Sequence, residues 1–331
     1  VTGLGDRTAV SFFTTADFDE QLVVNALHDF AIGGDGLRVG AEFTYGWNDP
    51  TIGAISPFDT ETMVVSLRAT YPFVLDQGTR IDGRWGVDFI NQDVRFAGID
   101  LNRDRLRVAY AGVSFLATDR RSIEGTGGFT AAEPRWRFGL SGELRQGLDI
   151  FDASEPGFVA GAPPQTRGAG DSSATVFRLE SVAEFRPMPA LAWIFESRLQ
   201  LTGDPLLAYE EFAGGNYTVG RGYDPGSVLG DRGFGFRSEI RIGSIIPRTE
   251  KDLAFQPYGF FDAAWVDNED PQFFGLPNSD EIYSVGGGVR FNYGNRARLD
   301  VALAVPLVET NFQANTPDPR LLVSLFVRFA R

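Results

Sequence analysis

The chain of 331 residues has no cysteine, one histidine and one lysine. Without cysteine there are no disulfides, no thiolate nucleophile and no cysteine-ligated zinc. The single histidine, His28, sits in a strand-like segment and reads as structural. It leaves no material for a histidine-based catalytic triad or a histidine-rich metal site. Lys251 is the one lysine among 30 basic residues, so nearly all positive charge is guanidinium. That group suits fixed, two-pronged ion pairs. Acidic residues number 44, for a formal charge of −14, which argues against nucleic acid as a partner. No apolar run approaches the roughly 18 residues of a membrane-crossing helix. Ala302 to Val308 is typical of the longest. A closed β-barrel stays open as an architecture, because it crosses a bilayer with alternating residues.

Alternation is what the sequence does contain. In Leu37 to Trp47 the odd positions are Leu, Val, Ala, Phe, Tyr and Trp, and the even ones Arg, Gly, Glu, Thr and Gly. Such a two-faced run matches a barrel strand of about 9–11 residues. The pattern recurs around Ile81–Phe89, Trp136–Leu144 and Phe177–Phe185. On strand after strand the polar face mixes arginine with aspartate or glutamate. Trp47, Tyr71, Phe89 and Trp265 fall near strand ends, where an interface belt wants aromatic rings. Fourteen strands are legible: 8–15, 20–30, 36–48, 62–72, 79–90, 104–117, 134–146, 174–186, 190–202, 233–245, 253–266, 281–292, 297–308 and 321–330. The gap 118–133 has room for another pair. Short connections (31–35, 186–190, 292–296) alternate with long ones (49–61, 147–173, 203–232, 267–280), as in outer-membrane barrels. The expected fold is therefore an all-β transmembrane antiparallel barrel occupying residues 1–331.

Few motifs carry chemistry. The acidic runs Asp17-Phe18-Asp19-Glu20 and Asp267-Asn268-Glu269-Asp270 read as solvated loop tips before divalent-cation sites. Asn216-Tyr217-Thr218 reads as a chance glycosylation sequon. GRGYDPG lacks the spacing of a dinucleotide or P-loop fingerprint. The chain is expected to be no enzyme and to hold no metal or cofactor.

The long connection 203–232 stands apart. It contains most of the glycine-rich stretch Phe212 to Glu239, with Arg221 set between Gly220 and Gly222 and followed by Tyr223. A guanidinium at a loop tip is either exposed or paired. PYGFFDAAWV (257–266) puts Asp262 in a strand where polar residues should face the lumen. An arginine folded into a barrel would suit that carboxylate through two parallel charge-assisted hydrogen bonds. Spacing alone does not decide between these options.

The block LTGDPLLAYEEFAGGNYTVGRGYDPGSVLGDRGFGFRSEIRI (201–242) resembles the most distinctive segment of the two-partner secretion transporters, the ShlB/FhaC/HecB or TpsB family, relatives of the BamA and TamA assembly proteins. Its glycine pair is Gly214-Gly215, its VRGF or VRGY tetrad appears as Gly220-Arg221-Gly222-Tyr223 with glycine in the valine position, its GD.G turn is Gly230-Asp231-Arg232-Gly233, and its strand glutamate is Glu239. The later F.D.G motif appears as Phe260-Phe261-Asp262-Ala263-Ala264, with alanine for glycine. Ser284 to Phe291 and Leu299 to Leu307 are similar to the closing strands, and Thr2 to Thr8 to the first. The resemblance implies a sixteen-stranded barrel, with the difference from the direct reading placed in 118–133 or in a shortened hairpin. It also implies that loop 203–232 folds back into the lumen as a plug, latched by Arg221, Gly222 and Tyr223 on Asp262. Gly214, Gly215, Gly220, Asp231, Glu239 and Phe260 would shape that loop and its seat. The family carries periplasmic POTRA domains ahead of the barrel. None is expected within this chain, whose barrel pattern starts by Arg7. A C-terminal aromatic is usual, and here Phe329 lies two residues before the end.

The function implied is a pore of the Gram-negative outer membrane that passes an unfolded partner protein to the cell surface. Its partners would be that secreted client, outer-membrane lipid and lipopolysaccharide, and the assembly machinery that inserts barrels, with no nucleic acid. The competing readings are a passive porin or structural barrel subunit, and an assembly or insertion factor for other barrels.

Overall fold

In a computed structural model, residues 5–14, 21–49, 58–157, 161, 163–216, 218–270, 277–311 and 315–329 are described. The alternating segments form strands because each then points its apolar residues one way and its charged residues the other. They run β1 (Arg7–Thr14), β2 (Gln21–Ile32), β3 (Leu37–Asn48), β4 (Phe58–Leu75), β5 (Thr79–Phe96) and β6 (Ile99–Thr118). β7 (Trp136–Gly147), β8 (Thr175–Met188) and β9 (Leu191–Thr202) follow. After two three-residue strands, β10 (Phe212–Gly214) and β11 (Val228–Gly230), come β12 (Arg232–Ile242), β13 (Leu253–Asp267), β14 (Ser279–Tyr293), β15 (Ala297–Pro306) and β16 (Arg320–Val327).

Fourteen of these sixteen strands make one antiparallel sheet in sequence order, with β9 beside β12. The remaining two, β10 and β11, pair only with each other. The sheet curls into a barrel wall. Among the described residues no pairing joins β1 to β16, which stand as its two edges. The register sorts the two faces. Trp85, Ala111, Leu144 and Phe177 lie on the outer face. Arg84, Glu143, Arg145 and Arg178 lie on the inner one. The outer face keeps large apolar side chains exposed, including Leu67, Trp85, Val113, Leu144, Trp193, Leu303 and Val323. That is the inverse of a soluble sandwich and fits a hydrocarbon surround. The inner face is tied by pairs such as Arg84–Glu143 at 3.0 Å and Arg68–Glu42 at 2.8 Å.

Two expectations need correction. Segment 118–133 holds no extra strands. β6 runs on to Thr118, and a single turn of helix, α1 (Arg120–Ile123), is capped by the Asp119 side chain on the Ser122 N–H. A 3-10 turn at Thr126–Gly128 follows. Among the described residues the wall has fourteen strands, and β10 and β11 form a separate short ribbon inside the long loop. β4, β5 and β6 also extend past the ends read from alternation (62–72, 79–90, 104–117). Their outer-face ends carry Asp59, Glu61, Asp93, Arg95, Arg103 and Arg105, which cross-pair (Arg95–Glu61 2.8 Å, Arg103–Asp93 2.7 Å) instead of alternating with apolar residues. Strand pairing therefore persists where the apolar signal has stopped. His28 lies on the outer face, opposite Ala41, with Nδ1 2.8 Å from the Thr8 hydroxyl.

Candidate functional site

The long connection between β9 and β12 does not stay at the rim. Its root and its tip are fixed to different parts of the inner wall.

The tip is GRGYDPG. Gly220 takes φ +109° and Gly215 takes φ +138°, conformations closed to most side chains. A Cβ on Gly215 would lie 2.0 Å from the Asp224 carbonyl, and one on Gly222 2.8 Å from the Pro306 nitrogen. The glycines thus let the tip fold on itself and press on β15. Gly214 closes the ribbon opposite Val228.

Arg221 is thereby delivered to β12 and β13. Its Nη2 donates to Asp262 Oδ1 at 2.8 Å and its Nε to Oδ2 at 2.9 Å. The Arg221 backbone N–H adds a third bond to Oδ2 at 3.1 Å. Nη1 donates to Glu239 Oε2 at 2.8 Å, and the guanidinium carbon sits 3.6 Å from the centre of the Phe260 ring. Asp262 is fully buried. Glu239 also accepts from Arg290 (2.6 Å) and Arg241 (2.6 Å). Arg290 reaches on to Asp300 at 2.7 Å, and Tyr258 donates to the other oxygen of Asp300 at 2.7 Å. Three arginines and three carboxylates therefore form one continuous chain from the loop tip to β15. Burial by itself would lower the Arg221 pKa, but its bonds to Asp262 and Glu239 raise it, so the charge is secure.

Tyr223 is fully buried, and its hydroxyl lies 3.0 Å from the Tyr283 carbonyl and 2.9 Å from that of Val308. It packs with Phe212, Val219 and Val228 of the loop against Ala264, Val266 and Ile282 of the wall. Ala264 stands where the family motif has glycine, and its methyl is used in this contact. Asp224 pairs with Arg320 of β16.

The root was not legible in the sequence. Leu207 packs with Ile90, Leu106 and Val108 of β5 and β6, and Leu206 with Ala174 and Val176. Glu210 accepts from Arg145 Nη2 at 2.8 Å and Arg178 Nη2 at 2.7 Å, and Arg145 also reaches Asp88 at 3.0 Å. Burial pushes the Glu210 carboxyl up, but the Arg178 and Arg145 guanidiniums outweigh it and hold it below the usual range. Gln200 donates to the carbonyls of Glu210 (2.9 Å) and Asp231 (3.0 Å). Asp231, read from the sequence as part of the GD.G loop turn, lies at this root. It accepts from Arg167 Nη2 (3.1 Å), the Leu206 N–H (2.7 Å) and the Glu269 N–H (2.8 Å). One buried carboxylate thereby joins three long connections. The available signal was the acidic pair Glu210-Glu211, together with arginines on polar faces already identified, but no spacing linked them.

The remaining acidic candidates are placed simply. Asp267 and Glu269 both pair with Arg232, at 3.0 and 2.7 Å, which accounts for them without a cation. The run Asp17 to Glu20 and the motif residues Thr2 to Leu4 lie outside the described residues. Within the sequon, the Thr218 hydroxyl is occupied by the Ala213 carbonyl at 2.7 Å.

Residues 98–291, which contain both anchors, match the family model for haemolysin secretion/activation protein ShlB/FhaC/HecB. The chain belongs to this family. As a ShlB/FhaC/HecB protein it shares its fold with CdiB from Escherichia coli (TM-score 0.66, 14% identity, covering 98% of this chain and 60% of that one). CdiB from Acinetobacter baumannii gives TM-score 0.62 at 16% identity over 92% of this chain and 50% of that one. BamA from Haemophilus ducreyi lacking POTRA domains 1-3 gives 0.57 at 14% identity over 98% and 65%. The chain spans between half and two thirds of the length of these structures. No curated protein matches the sequence.

Proposed function

We propose that this ShlB/FhaC/HecB chain is the membrane pore of a two-partner secretion system. It lies in the outer membrane of a Gram-negative bacterium and passes an unfolded client polypeptide to the cell surface. The single observation that carries the reading is the path of loop 203–231. It is rooted on the inner face of β5–β9 and latched by Arg221 on the inner face of β12 and β13. A segment tied across the lumen in this way is a plug, and a plug is what a conduit wide enough for a polypeptide needs when idle.

In this mechanism the wall supplies half-exposed arginine–carboxylate pairs, and an extended chain can exchange with them one at a time without a deep binding pocket. The latch residues are Arg221, Gly222, Tyr223 and Asp262. Gly214, Gly215, Gly220, Glu239 and Phe260 shape the loop and its seat, and Asp231 holds its root. The client's arrival competes for these contacts, and the loop yields. Lipid and lipopolysaccharide surround the barrel, and the cell's barrel-assembly machinery inserts it. No catalytic step is part of the reading.

The test is single-channel conductance in planar bilayers, comparing the intact protein with a deletion of 203–232. Small, flickering openings that become large and steady on deletion support the plugged pore. Equal large conductance in both overturns it in favour of a porin or structural barrel. A second reading, an insertion factor for other barrels, draws on the likeness to BamA and on β1 and β16, which are not paired with each other among the described residues. A covalent clamp between those edges separates the two. It would stop insertion but leave secretion through the lumen intact.

A further inference from the structure

Connection 148–173 begins on the outer wall. β7 ends at Gly147, but the chain continues along the free upper edge of β6. The Leu148 N–H donates to the Arg107 carbonyl at 2.7 Å, and the Ser154 N–H to that of Arg105 at 2.9 Å. The Arg105 N–H returns a bond to the Ser154 hydroxyl at 2.9 Å. Between these ties the chain bulges. Phe151 and Asp152 both take positive φ, +50° and +58°, a strained choice for such residues. The bulge leaves the Phe151 ring 71% exposed and Ile150 45% exposed.

The position of that ring is informative. It lies 6.0 Å from Phe89, which shares the outer face of β5 with Trp85 and Val87. Phe151 thus continues the aromatic border of the apolar band. Directly opposite Phe89 on β6 is Arg107, an outward-facing arginine that is only 8% exposed. Its hydrogen bonds go to neutral oxygens: the Ile90 and Leu106 carbonyls at 3.0 and 2.8 Å, Asn91 Oδ1 at 3.0 Å and the Phe151 carbonyl at 3.1 Å. A charge at that level is expensive against hydrocarbon unless covered. The Phe151 backbone supplies part of the cover, while its side chain stays exposed. Above the ring the same face turns to charge, with Asp93, Arg103 and Arg105.

We infer that residues 148–154 are a membrane-interface anchor, with Ile150 and Phe151 seated among the acyl chains at the headgroup boundary of the outer leaflet. The partner is lipid, because the patch continues the lipid-facing surface of the barrel. This rests on the outer-membrane barrel reading. An aromatic there favours the boundary, where an apolar body meets polar heads. The same connection carries Arg167, which holds Asp231 at the root of the plug.

The absence of cysteine makes single-site labelling direct. Phe151→Cys, Val113→Cys and Glu155→Cys are each spin-labelled in lipid vesicles. Collision with oxygen, which partitions into lipid, is compared with collision with a water-soluble nickel chelate. The expected result is several-fold protection from the chelate at 151 and 113, with free access at 155. A label at 151 as accessible to the chelate as 155, with 113 still protected, overturns the anchor alone. Chelate access at 113 overturns the barrel reading and the anchor with it.

Discussion

Arg221 and Asp262, 41 residues apart, meet through three hydrogen bonds, two from the guanidinium and one from the arginine's own backbone. The backbone bond matters because it fixes the loop's path as well as its charge. A lysine would keep the charge but lose the two-pronged geometry and the stacking on Phe260.

Removing either partner leaves a buried charge without its counterpart, a loss of about 3–5 kcal/mol for such pairs. Arg221→Ala and Asp262→Ala should each lower resistance to urea unfolding in vesicles. The double variant should be no worse than the more damaging single one. Simple additivity would mean that the two do not act as a unit.

The root and tip anchors share no residue, so their release should combine. Arg221→Ala alone should give more frequent openings than the parent, and Glu210→Gln alone likewise. Together they should approach the steady conductance of the loop deletion. Full opening from either single variant would reduce the loop to one anchor.

Acid should act on the root. Glu210 ordinarily titrates near 4.5, and its folded value is lower because Arg178 and Arg145 outweigh burial. A depressed carboxyl contributes stability above its unfolded value, and that contribution is lost as pH falls through the folded one. Openings should therefore increase as pH drops below 4.5, and Glu210→Gln should flatten this dependence. An unchanged acid profile in that variant would place the response elsewhere.

Glycines in the tip are not equivalent. Gly215→Ala sets a methyl against the Asp224 carbonyl at 2.0 Å with φ at +138°, whereas at Gly226 (φ +71°) the space is open. Gly226→Ala should cost only about 1 kcal/mol, the usual left-handed penalty. Gly215→Ala should displace the tip and raise conductance. Equal effects would show that the tip's close packing is unimportant.

The sequence determined the two-faced strands, their antiparallel order and their fourteenfold count, because burial between lipid and lumen imposes a strict period of two on every strand. The family resemblance marked Arg221 and Asp262 as a pair, although spacing alone left the pairing open, and it named Glu239 only as a motif residue; its bond to Arg221 came from the structure. Strand ends at Asp93 and Arg103 escaped, since ion pairs replaced apolar residues there and erased the pattern. The ribbon β10–β11 escaped because three residues are too few to show a period. Only the tertiary structure decided that Glu210 meets Arg145 and that Asp231 meets Arg167, 65 and 64 positions apart. Charge pairs carry no local period, and any arginine on the polar faces would have served equally until the barrel's curvature and the loop's return path selected one.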